Sequence, residues 1–173
     1  TFIFFEGAWE VLQPKIADGT FAVKNSSEAV ALQEKSSLTD DEMTRIIRQV
    51  STNWDANTAR ILADSDLHDA SEADKGDVFI LAPNDNTARA ISEVFAADEG
   101  VKSYVITGMD AEEASIPYIQ DGRQSMTVFK DVRLLVQTAI EAALALLKDE
   151  TPEAATTYNN GAIDVPGLES PVS

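Results

Sequence analysis

The 173-residue sequence has no cysteine, a single histidine (His68), and only 13 lysines and arginines against 30 aspartates and glutamates. The absent thiols exclude disulfides, a thiol nucleophile and a thiolate metal site. With neither cysteine nor a well-placed histidine, no nucleophile–base pair presents itself. The net charge of −17 argues against nucleic acid or an anionic membrane as partner, because both require a basic surface. Long apolar runs are lacking too. Leu134–Leu147, the longest, falls short of the ~20 residues of a bilayer span and carries Gln137, Thr138 and Glu141. Thr1 leads directly into FIFFEGAW without a basic leader, as though an upstream segment had been removed. What remains is an ordinary globular composition, 44% hydrophobic and 25% charged, in a chain long enough for one domain with a core.

The most informative stretch runs from Val78 to Ala111. Two β-rich runs, Val78–Ala82 and Ser103–Thr107, each end in a polar turn: Pro83-Asn84-Asp85-Asn86 and Gly108-Met109-Asp110. Between them Thr87–Ala97 has helical spacing, with Ala88, Ile91, Val94 and Phe95 on one face. Strand, helix, strand at this spacing predicts a βαβ unit with parallel strands and a right-handed crossover. Both acidic turns then lie at the carboxyl edge of one sheet, where open α/β sheets bind ligands.

Elsewhere, Phe2–Asp18 predicts a helix through Phe5, Ala8, Trp9, Leu12 and Ile16, kinked or broken near Pro14. Thr20–Val23 is a strand candidate, and residues 25–38 read as a loop or insertion. Thr39-Asp40-Asp41-Glu42 has the form of a capping box that opens a helix facing inward through Met43, Ile46, Ile47 and Val50. Asn53–Ala56 breaks it and Asn57–Leu67 begins the next helix. Ser115–Asp121 predicts a short helix closed by Gly122, and Ser125–Phe129 a β-rich run ending at Lys130-Asp131. Arg133–Lys148 is apolar on most sides and is expected to be heavily buried. In the glycine- and proline-broken tail, Ala162–Val165 is a candidate edge strand.

Four places converge on the sheet edge: Trp54-Asp55, Asn84-Asp85, Asp110 and Lys130. Together they offer an aromatic face, carboxylates, a carboxamide and an ammonium. A pyranose suits that mixture, since its C–H faces stack on a ring while each hydroxyl both donates and accepts. Plainer roles compete. Asp55 and Asp85 both precede helices and could serve as caps, Trp54 could be a packed tryptophan, and a lone lysine is usually a surface residue. Asp64-Ser-Asp66-Leu-His68-Asp69 superficially resembles a calcium loop, but it lacks the glycine at the sixth position and has Lys75 where the twelfth requires glutamate. It reads as a solvated acidic loop, and no metal or cofactor is implied.

The phrases FFEGAWEVLQPKI, NWDANTA, VFILAPNDNTARAI, VITGMDAE, IQDGRQSMTVFKDVRLL and YNNGAIDVP, in this order, resemble bacterial type I periplasmic sugar-binding receptors of ABC importers, of the xylose, ribose and multiple-sugar kind. The resemblance implies an α/β lobe with a parallel open sheet and helices on both faces. It implies a non-enzymatic protein of the periplasm or another extracytoplasmic site, free or lipid-anchored, that closes a monosaccharide between two lobes and delivers it to a membrane permease. Residues 1–131 would be the carboxyl-terminal lobe without its first strand, 132–150 a helix belonging to the other lobe, and 151–173 a tail crossing back. By the same resemblance Trp54 stacks on the sugar, and Asn84, Asp85, Asp110 and Lys130 bond its hydroxyls. With one cleft wall in hand, the isolated chain is expected to bind sugar poorly and to self-associate. The ligand-sensing domain of a lactose-repressor-type regulator shares this fold and is the first alternative. An enzyme acting on a sugar or phosphosugar is the second, but it would need a base or a phosphate-binding glycine loop, and neither is present.

Overall fold

The computed structural model describes residues 2–150 in full and, beyond them, the backbone of Thr157–Asn159 and Asp164–Pro166. The chain forms two compact units, Thr1–Lys130 and Asp131–Ser173.

The centre of the first unit is the βαβ element: β1 (Asp77–Ile80), α5 (Asp85–Ala97) and β2 (Ser103–Ile106). The strands pair in parallel, with Asp77 opposite Ser103 and Ile80 opposite Ile106. Alternation along the strands aims Val78, Ile80, Tyr104 and Ile106 at α4 (Ala56–Asp69) and α5, where Ala63, Leu67, Ala88 and Phe95 are buried. On the opposite face Phe79, Leu81 and Val105 are exposed, and Phe21 stacks on Phe79 at 5.6 Å between ring centroids. Beyond the last ladder pair, the Thr107 hydroxyl accepts from Ala82 N–H at 2.9 Å and bonds the Ala82 carbonyl at 3.1 Å. The two strand ends therefore stay together as they pass into their turns.

Upstream, α1 (Phe2–Ala17), α2 (Ser27–Ala31) and α3 (Asp40–Val50) enclose a smaller core of Trp9, Ala29 and Ile46. Thr39 and Glu42 make the expected capping box on α3. Three local expectations change. The α1 helix continues through Pro14 to Ala17, because a proline in the last turn removes one donor without blocking the remaining carbonyls. Thr20–Val23 has no strand assignment. Residues 25–38 include α2, capped by the Ser26 hydroxyl on Ala29 N–H at 3.0 Å and tied to α3 through a Ser26–Gln49 bond of 2.7 Å.

The acidic stretch from Asp64 is not a loop but the last turns of α4, which reaches Asp69. Ser125–Phe129 has no strand assignment, yet it runs beside β2 and its turn: Ser125 N–H donates to Ile106 O at 3.1 Å, and Val128 N–H to Gly108 O at 3.2 Å. A 3-10 turn, Glu113–Ser115, leads into α6 (Ile116–Gln120), which ends before Gly122 in the left-handed region (φ +84°).

In the second unit, α7 (Val132–Leu147) contradicts the expected burial: none of its residues is buried. A helix buries its apolar face only against a second layer of structure, and the unit's remaining described elements are two three-residue strands, β3 (Thr157–Asn159) and β4 (Asp164–Pro166). These pair antiparallel with each other, so the strand in the tail belongs to its own hairpin. Residues 162 and 163 of the expected edge strand lie outside the described residues.

A candidate ligand-binding edge

Three segments leave the sheet at its carboxyl end. The first, after β1, is the Asn84 turn. Asn84 caps α5, its Oδ1 accepting from Thr87 N–H at 3.2 Å and from the Thr87 hydroxyl at 2.7 Å. Among the described residues its Nδ2 has no hydrogen-bond partner, so a donor remains available at the edge.

The second segment, after β2, carries Asp110. Asp110 and Ala111 both lie in the left-handed region, at φ +102° and +53°. Asp110 N–H donates to Val128 O at 2.9 Å, and Ala111 N–H to the Thr127 hydroxyl at 3.1 Å. The third segment runs through Val128 to Lys130, whose Nζ lies 2.7 Å from Asp110 Oδ1. Their side chains are 44% and 34% exposed, so both charges remain reachable from solvent.

Trp54 reaches the edge from another direction. It follows Asn53, and both are left-handed, at φ +50° and +58°. Asn86 Nδ2 donates to the Trp54 carbonyl at 3.4 Å, tying this turn to the start of α5. Trp54 is 55% exposed and therefore not a core tryptophan, whereas Trp9 is buried and donates to Lys35 O at 2.9 Å. Asp55 caps α4, accepting from Thr58 N–H at 2.7 Å and from the Thr58 hydroxyl at 2.8 Å. The backbone bond, followed by the hydroxyl bond, lowers its pKa below the usual aspartate value. Among the described residues, four of the five non-glycine residues with positive φ are Asn53, Trp54, Asp110 and Ala111. Backbone strain of ~1 kcal/mol or more per residue persists only where the surroundings enforce it, and it gathers at functional sites.

Asp85, expected to be a ligand contact, is withdrawn from the surface. Its side chain is 0% exposed, and both oxygens are engaged inside the protein. Oδ1 accepts from Gln124 Nε2 at 2.8 Å, and Oδ2 from Glu112 N–H at 2.8 Å. A buried carboxylate requires such partners, and once it has them no surface is left for a ligand. Sequence reading overlooked Gln124 and Glu112. Gln124 lies 39 residues from Asp85, and nothing local marks a glutamine in an extended run as buried.

Trp54, Asn84, Asp110 and Lys130 thus lie on segments that meet at one sheet edge, and Asp85 lies beneath them. A family model described as a periplasmic binding protein domain matches residues 4–151. The chain belongs to the periplasmic binding protein domain family. Among its relatives, the multiple sugar-binding periplasmic receptor ChvE of Rhizobium radiobacter is 30% identical over 99% of this chain and 46% of its own length. The D-xylose-binding periplasmic protein of Escherichia coli is 41% identical over 50% of this chain and 26% of its own. A solved carbohydrate transporter solute binding protein from Chloroflexus aurantiacus, in complex with D-glucose, is 70% identical with a TM-score of 0.86, over 95% of this chain and 48% of that one. The chain spans about half the length of the periplasmic binding proteins it matches end to end. It shares with them the α/β lobe of this fold, an open parallel sheet with flanking helices.

Proposed function

We propose that the chain is part of the solute-binding component of an ABC sugar importer. It would act outside the cytoplasm as a binder rather than a catalyst and deliver a neutral monosaccharide to a membrane permease. The observation that carries this reading is the Asp110–Lys130 pair at the strand ends, with the exposed Trp54 ring on a neighbouring turn. The pair is neutral as a whole and offers both acceptors and donors, matching a polyol of no net charge. Trp54 supplies a flat apolar face for the C–H side of a pyranose. Asn84 Nδ2 adds a donor. Sugar-binding names and bound glucose among the family relatives support the same reading.

In this reading residues 1–131 form one wall of the ligand cleft. The helix at 132–150 and the tail at 151–173 would serve the opposite wall. With one wall alone water competes for Asp110 and Lys130, so the 173-residue chain should bind weakly and associate through its exposed apolar helix.

Calorimetric and thermal-shift titration of the protein at its full natural length against sugars, amino acids and phosphosugars tests the proposal. Stabilisation by neutral monosaccharides is expected, together with a fluorescence change lost in Trp54→Ala. Stabilisation by amino acids or phosphosugars alone would overturn it.

A further inference from the structure

Asp85 is buried, charged in type and withdrawn from the surface, yet it stands at the first residue of α5 directly beneath the candidate edge. It holds the Asp110 turn at both ends. Its own N–H donates to Met109 O at 2.9 Å, and its Oδ2 accepts from Glu112 N–H at 2.8 Å. Between those two anchors sit Asp110 and Ala111, the residues with left-handed backbone. Its Oδ1 meets Gln124 Nε2, which also donates to Met126 O at 3.0 Å and so fixes the segment leading to Lys130. One carboxylate therefore ties together the three segments that carry Asn84, Asp110 and Lys130.

The packing around this clamp leaves no slack. A methyl group on Gly108 would collide with Asp85 Oδ1 and Gln124 Nε2, and would lie 3.0 Å from Met126 O. Gln124 is itself 1% exposed, and its Oε1 has no partner among the described residues. A glutamine held with one end unsatisfied is there for its other end, the amide donor to Asp85 and Met126.

We infer that Asp85 is a positioning residue for ligand recognition: its buried carboxylate, through Gln124 and the Glu112 N–H, sets the geometry of the Asp110 turn and of the segment to Lys130 without touching the ligand. This rests on the sugar-binding reading above for the ligand, but not for the clamp itself. Sites whose supporting groups are loosened lose affinity although every contact residue is still present.

Asp85→Asn keeps size and shape but offers one acceptor where the carboxylate offers two, so its Nδ2 must face one of two N–H donors. The protein at its full natural length is followed by two measurements, amide hydrogen exchange at Glu112 and calorimetric titration with D-glucose, D-xylose and D-galactose. Glu112 exchange is expected to accelerate by roughly tenfold, and affinity for every sugar bound to fall together by about tenfold with their order preserved. Gln124→Met, which removes the amide donor together with the unpartnered Oε1, should weaken binding by about threefold. It also serves as the test if Asp85→Asn does not fold.

A purely structural strut would lower the melting temperature and leave the affinity of the folded protein unchanged. That outcome, with Glu112 exchanging faster, overturns the inference. A changed order of sugars overturns it as well, because Asp85 would then touch the ligand. If the unaltered protein binds none of the three sugars, the sugar reading falls. Exchange at Glu112 then decides the clamp by itself, and an unchanged rate refutes it.

Discussion

Helices α5 and α7 are both rich in alanine and branched aliphatic residues, yet they end in opposite situations. Of α5, Asp85, Thr87, Ala88, Ala90, Ser92 and Phe95 are buried; of α7, nothing is. The difference is one of topology rather than hydrophobicity. α5 joins two parallel strands of the same sheet, and such a crossover must lie back across that sheet. Its apolar face is thereby given a partner by its own neighbours in sequence. α7 has no such constraint, and Val132, Val136, Ile140 and Leu144 remain exposed along one side of it. An apolar helix face shows that a covering surface is needed without saying which element supplies it.

The largest effect should separate the two helices directly. Phe95→Ala removes a buried ring packed edge-on to Tyr104, at 5.8 Å between centroids, and should destabilise the chain by about 3–5 kcal/mol in denaturant unfolding. Leu144→Ala on α7 should change stability by no more than ~0.5 kcal/mol. Measured at a dilution where the chain is monomeric, a comparable loss at both positions would mean that another part of the same chain covers α7.

At the amino-terminal end of α5 binding and packing can be separated. Asp110→Ala should weaken sugar binding by about 2–4 kcal/mol, as loss of a charged hydrogen-bond partner does. Its half-exposed pairing with Lys130 contributes only ~0–1 kcal/mol to stability, so thermal unfolding should hardly move. Equal affinity of the variant and the unaltered protein in calorimetry would remove Asp110 from the site. Gly108→Ala acts the other way: overpacking against Asp85 and Gln124 should destabilise by about 1–3 kcal/mol, read in the same unfolding experiment.

The exposed face of α7 makes a prediction about mass. Sedimentation of the 173-residue chain should show self-association, and replacing both Val136 and Ile140 by glutamate should abolish it while leaving the unfolding midpoint of the dilute, monomeric chain unshifted.

The smallest effect concerns the amino-terminal cap of α3. The Lys35 ammonium, then the Thr39 backbone N–H, hold the Glu42 carboxyl down at about 2. A depressed carboxylate stabilises the fold above its unfolded-state value near 4.5, and that contribution fades as pH falls from there through about 2. Glu42→Gln should therefore flatten the stability profile over this window, as measured by circular dichroism during acid titration.

Much of the fold was legible because it follows local rules. The two strands of the βαβ unit, the α3 capping box and the α4 start, found at Ala56 one residue before the expected Asn57, depend on periodicity and on residues three or four apart. The strand at Thr20–Val23 misled because a β-rich run is a strand only if a partner reaches it. The acidic run at Asp64–Asp69 misled because Ala59, Ala63 and Leu67, spaced along the helix, keep α4 going against its polar composition.

The candidate site divides along the same line. Sequence alone determined that an aromatic, an amide, two carboxylates and a lysine stand where a strand or loop hands over to the next element, since those positions follow from the βαβ pattern and the segments flanking it. Only the tertiary structure decided that Asp85 is buried beneath the candidate edge rather than exposed on it. Neighbouring residues at a helix start can point one to solvent and one to the interior, and the choice depends on what waits there. Here that is Gln124, brought from 39 residues away, and a Glu112 N–H that needed an acceptor.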